Sequence, residues 1–156
     1  YQTNYSREAF MDKKQMLQDI QAYNALWLDS SVLYREWAKA HDVSYFELLV
    51  ILSLTEGPCS QKEICQKWQI PKQTVNSILK NFLQNNWVRL TPAKEDKRNK
   101  IILLTQEGRA YMEPLAQKLA DCECTVWVKL GEERRKALME ATALYNKFFR
   151  EAQTDE

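Results

Sequence analysis

The stretch Ser60–Thr105, SQKEICQKWQIPKQTVNSILKNFLQNNWVRLTPAKEDKRNKIILLT, decides the fold. Its opening, Ser60-Gln61-Lys62-Glu63, is a capping box: serine and glutamate side chains three residues apart satisfy each other's orphan backbone amides at a helix start. Ile64, Cys65 and Trp68 supply the apolar side of that short helix. Ile70-Pro71 then interrupts the chain, because a residue before proline avoids helical dihedrals while proline itself is tolerated at a helix start. In the next helix Val75, Ile78, Leu79, Phe82 and Leu83 recur at three- and four-residue steps and form one stripe. Lys72, Gln73, Thr74, Asn76, Ser77 and Lys80, all cationic or hydrogen-bonding, point elsewhere. Two β-rich runs follow, Trp87–Thr91 and Ile101–Leu104, with a charged connection too long for a two-residue turn. Lys94, Lys97, Arg98 and Lys100 on that connection have no structural task and suit a phosphate or a groove. Two short helices around a turn, then a basic hairpin, outline a winged helix-turn-helix: a mainly α fold with a small β-hairpin wing.

Charge placement agrees. The 156 residues carry a net charge of +1, which by itself names no partner. Between Gly57 and Thr105, however, nine cations face three acids, a local +6, and the remainder of the chain carries −5. A basic module in an acidic frame presents one face to phosphates, whereas a merely solvated face needs no such segregation. Three glycines and no phosphate-cradling loop leave little for an enzyme, and no cysteine has a histidine partner by local pattern. His41 is the single histidine, so no metal-ligand cluster and no cofactor are expected. Cys59, Cys65, Cys122 and Cys124 would allow two disulfides, but a helix-rich chain of this length can bury roughly 70% of its unfolded surface and needs no staples. Reduced thiols are expected. Cys59 and Cys65 flank the reader's first helix, either as small buried hydrophobes or as thiol sensors. No apolar run nears the ~20 residues of a membrane span and no signal peptide is seen, so a cytoplasmic protein is expected.

The flanks are long helices. From about Asp12 to Lys39 there is neither glycine nor proline, and the apolar stripe that includes Tyr23, Leu26, Trp27, Leu33, Tyr34 and Trp37 is too wide for one side of a compact monomer. Ser44-Tyr45-Phe46-Glu47 is a second capping box, opening a helix over Phe46–Leu54 that ends at Gly57-Pro58 and lies behind the reader. Thr105 caps a helix to about Leu130, Gly131 stops it, and a last helix runs from Glu132 to about Ala152. Leu138, Met139, Leu144, Tyr145, Phe148 and Phe149 load that end with apolar surface; it folds back on its own chain or docks on another. The divisions are residues 1–43, an N-terminal dimerisation helix; 44–105, the winged helix-turn-helix; and 106–156, C-terminal dimerisation helices, all in one compact subunit.

Asp96-Lys97-Arg98-Asn99-Lys100 resembles the D-x-R-x-(R/K) wing signature of the MarR family of bacterial transcription regulators, and Leu104-Thr105-Gln106-Glu107-Gly108 is similar to that family's L-T-x-x-G. Helix order, wing, exit motif and flanking helices extend the resemblance over nearly the whole chain. It implies a homodimer paired through its N- and C-terminal helices. It further implies that Arg98 enters a minor groove, with Asp96 orienting it or bracing the wing. MarR-like proteins commonly leave DNA when a small aromatic or anionic effector enters a cleft, for which Tyr23, Trp27, Tyr34 and Trp37 are the candidates, as against plain core residues.

The function expected is therefore a dimeric, sequence-specific DNA-binding transcription regulator, a repressor released by an effector; the alternative is a winged helix used for protein contacts without DNA. Two symmetric readers would place their second helices about 10 bp apart in successive major grooves of a pseudo-palindromic operator in double-stranded DNA. Gln73 and Asn76 can pair bidentately with adenine and Lys72 can meet guanine. Thr74, Ser77 and Lys80 suit phosphates, as do Lys97 and Lys100 on the wing.

Overall fold

The computed structural model describes residues 5–93 and 100–154, with side chains of the first helix from Lys13 onward. Its elements are α1 (Tyr5–Ala40), α2 (Tyr45–Glu56), β1 (Cys59–Ser60), α3 (Gln61–Trp68), α4 (Lys72–Gln84), β2 (Val88–Pro92), β3 (Lys100–Leu104) and α5 (Gln106–Thr154). This is the expected winged helix-turn-helix between long helices. Both capping boxes form: Ser44 Oγ accepts from Glu47 N at 3.2 Å, and Ser60 Oγ accepts from Glu63 N at 3.3 Å. Glu63 in return accepts from Ser60 N at 2.6 Å, and that backbone hydrogen bond holds its carboxyl below the usual range.

The core lies under the reader. Leu48, Leu49, Val50, Ile51 and Leu54 of α2 are buried, as a helix that is apolar all round must be. Ile64 of α3, Val75, Ile78, Leu79 and Phe82 of α4, Ile102 and Leu104 of β3, and Met112, Leu115 and Leu119 of α5 close around it. Trp68 Nε1 donates to Ser53 Oγ at 2.7 Å, which satisfies the one buried polar side chain of α2 and ties α3 to it. Leu83, expected on the buried stripe, is 40% exposed, because it sits about 90° round α4 from the centre of the buried set. Cys65 and Trp68 are half-buried instead of fully covered.

A third strand was not anticipated. Cys59–Ser60 pairs with Ile101 and Ile102, giving the antiparallel order β1-β3-β2. Two residues are too few for any period-2 pattern to register. Trp87, expected in the first wing strand, precedes it: β2 begins at Val88, opposite Leu104. The last two helices are continuous apart from Gly131, where φ 76° and ψ 165° bend the chain. Residues 106–130 and 132–154 are thus two arms of α5.

These arms and α1 are largely uncovered. Tyr34 Oη donates to Glu123 Oε1 at 2.6 Å, and the Tyr23 and Tyr145 rings lie 5.2 Å apart. Burial together with the Glu123 hydrogen bond pushes the Tyr34 phenol up to about 12. Elsewhere Leu26, Trp27, Leu33, Val126, Val128, Leu138, Phe148 and Phe149 are more than half exposed. The subunit exposes 12807 Å², against roughly 8,200 Å² for a compact monomer of 18.4 kDa.

Candidate nucleic-acid interface

Local chemistry sets the reader. α3 ends at Gln69 in the left-handed region (φ 52°), its backbone N–H bonding Cys65 O, and Pro71 starts α4 with no side-chain cap. Gln61 Nε2 donates to Lys72 O at 3.1 Å and links the two helix starts. Burial of Val75, Ile78, Leu79 and Phe82 fixes the rotation of α4, which sequence alone had left open. At 100° per residue, Gln73, Ser77 and Lys80 point most nearly opposite that buried face, within roughly 30–40° of it. Asn76 and Lys72 lie on one flank and Thr74 on the other, at roughly 110°, 70° and 90° from the buried centre. All except the half-buried Thr74 are exposed. Gln73, Ser77 and Lys80 are therefore the outermost polar groups of α4, with Asn76 exposed on its flank.

Lys72 instead borders a groove of about 460 Å³ with Ser60, Gln61, Lys62, Cys65, Gln66 and Lys100. Three lysines thus border one groove from α3, α4 and the base of the wing. Lys62 and Gln66 were not singled out from sequence; Lys62 had been counted among the cations, but nothing showed that α3 turns it toward Lys72. Lys94, Asp96, Lys97, Arg98 and Asn99 lie outside the described residues. Cys59 has its thiol pushed up to about 11, chiefly by burial, so it holds its proton at neutral pH and does not behave as a reactive thiolate.

The exit motif has a clear physical role. Thr105 N donates to Trp87 O at 3.0 Å, and Thr105 Oγ1 donates to Asn86 O at 2.6 Å while accepting from Gly108 N at 2.9 Å. Gly108 lies so close to the Trp87 carbonyl that an added Cβ would stand 1.9 Å from its oxygen. The motif clamps the end of the reader to the start of α5.

Of the four candidate effector residues, Tyr23 lies against Tyr145, Tyr34 bonds Glu123, and Trp37 stacks on His41 at 3.9 Å beside the core. His41 Nδ1 donates to Trp37 O at 2.8 Å, a turn-closing role. Trp27 is 63% exposed. All four lie within about 80° on one side of α1. Neither the lysine groove nor the shallow depression between α2 and α5 is lined by any of them.

The fold and this surface define a winged helix-turn-helix protein. Residues 41–99 match the model of the MarR family. A MarR family regulator from Neisseria meningitidis superposes with a TM-score of 0.72 at 27% identity, covering 89% of this chain and 99% of that one. The HTH-type transcriptional regulators YwoH of Bacillus subtilis and PapX of Escherichia coli are 31% and 34% identical over 83 and 73 residues. Those matches cover 53% and 46% of this chain and 60% and 44% of the relatives, so the chain spans about half the length of the curated relatives it matches. The match spans 59 of the 156 residues, and over that stretch the chain is similar to the MarR family.

Proposed function

We propose that the protein is a homodimeric, sequence-specific DNA-binding transcription regulator of the cytoplasm, a repressor that leaves its operator when a small aromatic or anionic effector binds. The reading assigns it no catalysis, cofactor or metal. The observation that carries it is the face of α4: Gln73, Ser77 and Lys80 stand opposite the buried stripe, beside the Lys62, Lys72 and Lys100 groove. Amide and hydroxyl groups there suit base edges, and the flanking ammonium groups suit phosphates. AbfR, a structural neighbour with a TM-score of 0.60 at 23% identity, has been solved bound to DNA. No helix among the described residues is long and apolar enough to cross a membrane.

Selection of bound sequences from random duplexes tests the reading directly. A pseudo-palindrome with half-sites about 10 bp apart is expected; no enrichment, or no fall of affinity with salt, would favour a protein-docking winged helix. Within the selected operator, Gln73→Ala should cost roughly 1–3 kcal/mol and relax preference at one symmetric pair of positions, with non-specific binding unchanged. Asn76→Ala, on the flank, should cost less. Arg98→Ala should weaken sites with A·T-rich flanks most and lower the salt slope by about one per subunit. Equal losses on every sequence for Gln73→Ala and Arg98→Ala would remove both assignments.

Effector release rests on the aromatic side of α1. A salicylate-like anion at millimolar concentration should weaken operator binding, and Trp27→Ala should blunt the response. A panel of aromatic acids that changes neither binding nor melting would eliminate this part of the proposal.

A further inference from the structure

We infer that Trp87 and Tyr111 form a positioning joint that fixes the angle between the reader helix α4 and the long helix α5, and so sets the half-site spacing a dimer accepts. The inference rests on the proposed DNA-binding dimer. Neither helix packs extensively on the other among the described residues; they are joined by α2, which packs on both, and by the chain between them. Trp87 follows the end of α4, where its N–H donates to Phe82 O at 2.9 Å and its ring lies 5.7 Å from the fully buried Phe82 ring. On its other side the indole stacks on Tyr111, one turn into α5, with centroids 4.1 Å apart and planes 13° from parallel. Its carbonyl accepts from Thr105 N and lies against Gly108.

Three contacts thus meet on one side chain and its peptide. Phe82 fixes the indole to α4, the Thr105–Gly108 clamp fixes its backbone to the start of α5, and the Tyr111 stack sets how far α5 may rotate about that clamp. Without the stack the clamp and the burial of Met112, Leu115 and Leu119 still hold α5 to the core, but the angle between α4 and α5 is set less tightly. That slack permits the two readers to approach or separate across the two-fold axis. Since one base pair rotates a half-site by roughly 35°, a rigid joint should discriminate sharply between spacings, and a loose one should not.

The test uses Tyr111→Leu in the full chain, with Tyr111→Phe as the conservative variant. Tyr111 is 39% exposed, so neither change opens a cavity in the core; Tyr111→Gln, a good helix former, takes the place of Tyr111→Leu if that variant aggregates. Affinity is measured on the selected operator and on versions with the half-sites moved by one base pair either way, together with non-specific affinity and dimer mass. Wild type and Tyr111→Phe are expected to prefer one spacing by about tenfold, and Tyr111→Leu by less than about threefold, with non-specific affinity and dimer mass unchanged. A merely structural role would lower stability without altering spacing preference. If Tyr111→Leu keeps the wild-type preference, the joint is refuted while the DNA-binding reading stands. If wild type binds no duplex, the proposed function fails and takes this inference with it.

Discussion

Replacing Gly108 by alanine is expected to lower the melting temperature by roughly 6–12 °C, the equivalent of about 3 kcal/mol in a chain of this length. Helix propensity alone forecasts the opposite sign, since alanine in a helix is favoured over glycine by about 1 kcal/mol. The clash wins because of what the new methyl meets. At 1.9 Å from Trp87 O the Cβ must displace a backbone carbonyl that is itself held by Thr105 N at 3.0 Å. Moving that peptide disturbs the Asn86 and Thr105 bonds and the two ring contacts of Trp87 together. Gly131→Ala is the control. No atom lies near its Cβ, so the cost comes from backbone strain at φ 76°, on the order of 1–3 kcal/mol, and is confined to the α5 bend. Thermal melts of both variants decide the matter: a Gly108→Ala protein as stable as wild type would show that the close approach does not hold.

The contrast between these glycines shows what can be read from the chain. Gly131 was legible as a stop because it breaks a helical period, and its dihedrals agree. Gly108 was recognised as part of a motif, yet its task depends on Trp87, twenty-one residues earlier, and no local pattern reveals that contact. Capping boxes, the proline break and the buried helix α2 were legible for the same reason as Gly131: each is a local signal of known spacing. β1 escaped because two residues carry no period. The rotation of α4 was visible in the stripe only to within Leu83, whose exposure leaves Val75, Ile78, Leu79 and Phe82 as the buried set and Gln73 and Ser77 nearly opposite it. The lysine groove was the least legible feature, since it collects Lys62, Lys72 and Lys100 from three elements. Sequence counts charges; the turn between α3 and α4 decides which of them meet.

A chain shortened to end at Gly131 is expected to lose the proposed dimer, and with it most of its operator affinity. The subunit exposes roughly 4,600 Å² more than a compact monomer should, above the share of roughly 1,000–2,500 Å² that each partner gives to an obligate homodimer interface. Much of that surface is apolar and lies on α1 and on the second arm of α5, at Trp27, Leu33, Leu138, Met139, Phe148 and Phe149. The two arms are not independent. The contacts Tyr34–Glu123 and Tyr23–Tyr145 are 11 residues apart on α1 and 22 apart on α5, about 17 Å and, along a straight helix, about 33 Å. The bend at Gly131 brings the second arm back to α1, and removing the arm strips α1 of its own partner as well. Two readers on one dimer bind as a linked pair, so separating them should cost about 10²–10⁴ in operator affinity while leaving the weak binding of one half-site. Sedimentation or light scattering gives the mass, and titration on whole and half operators gives the affinities. A shortened chain that remained a well-behaved dimer with full operator affinity would show that these apolar faces do not form the interface, and the proposed spacing of about 10 bp between readers would then need another origin.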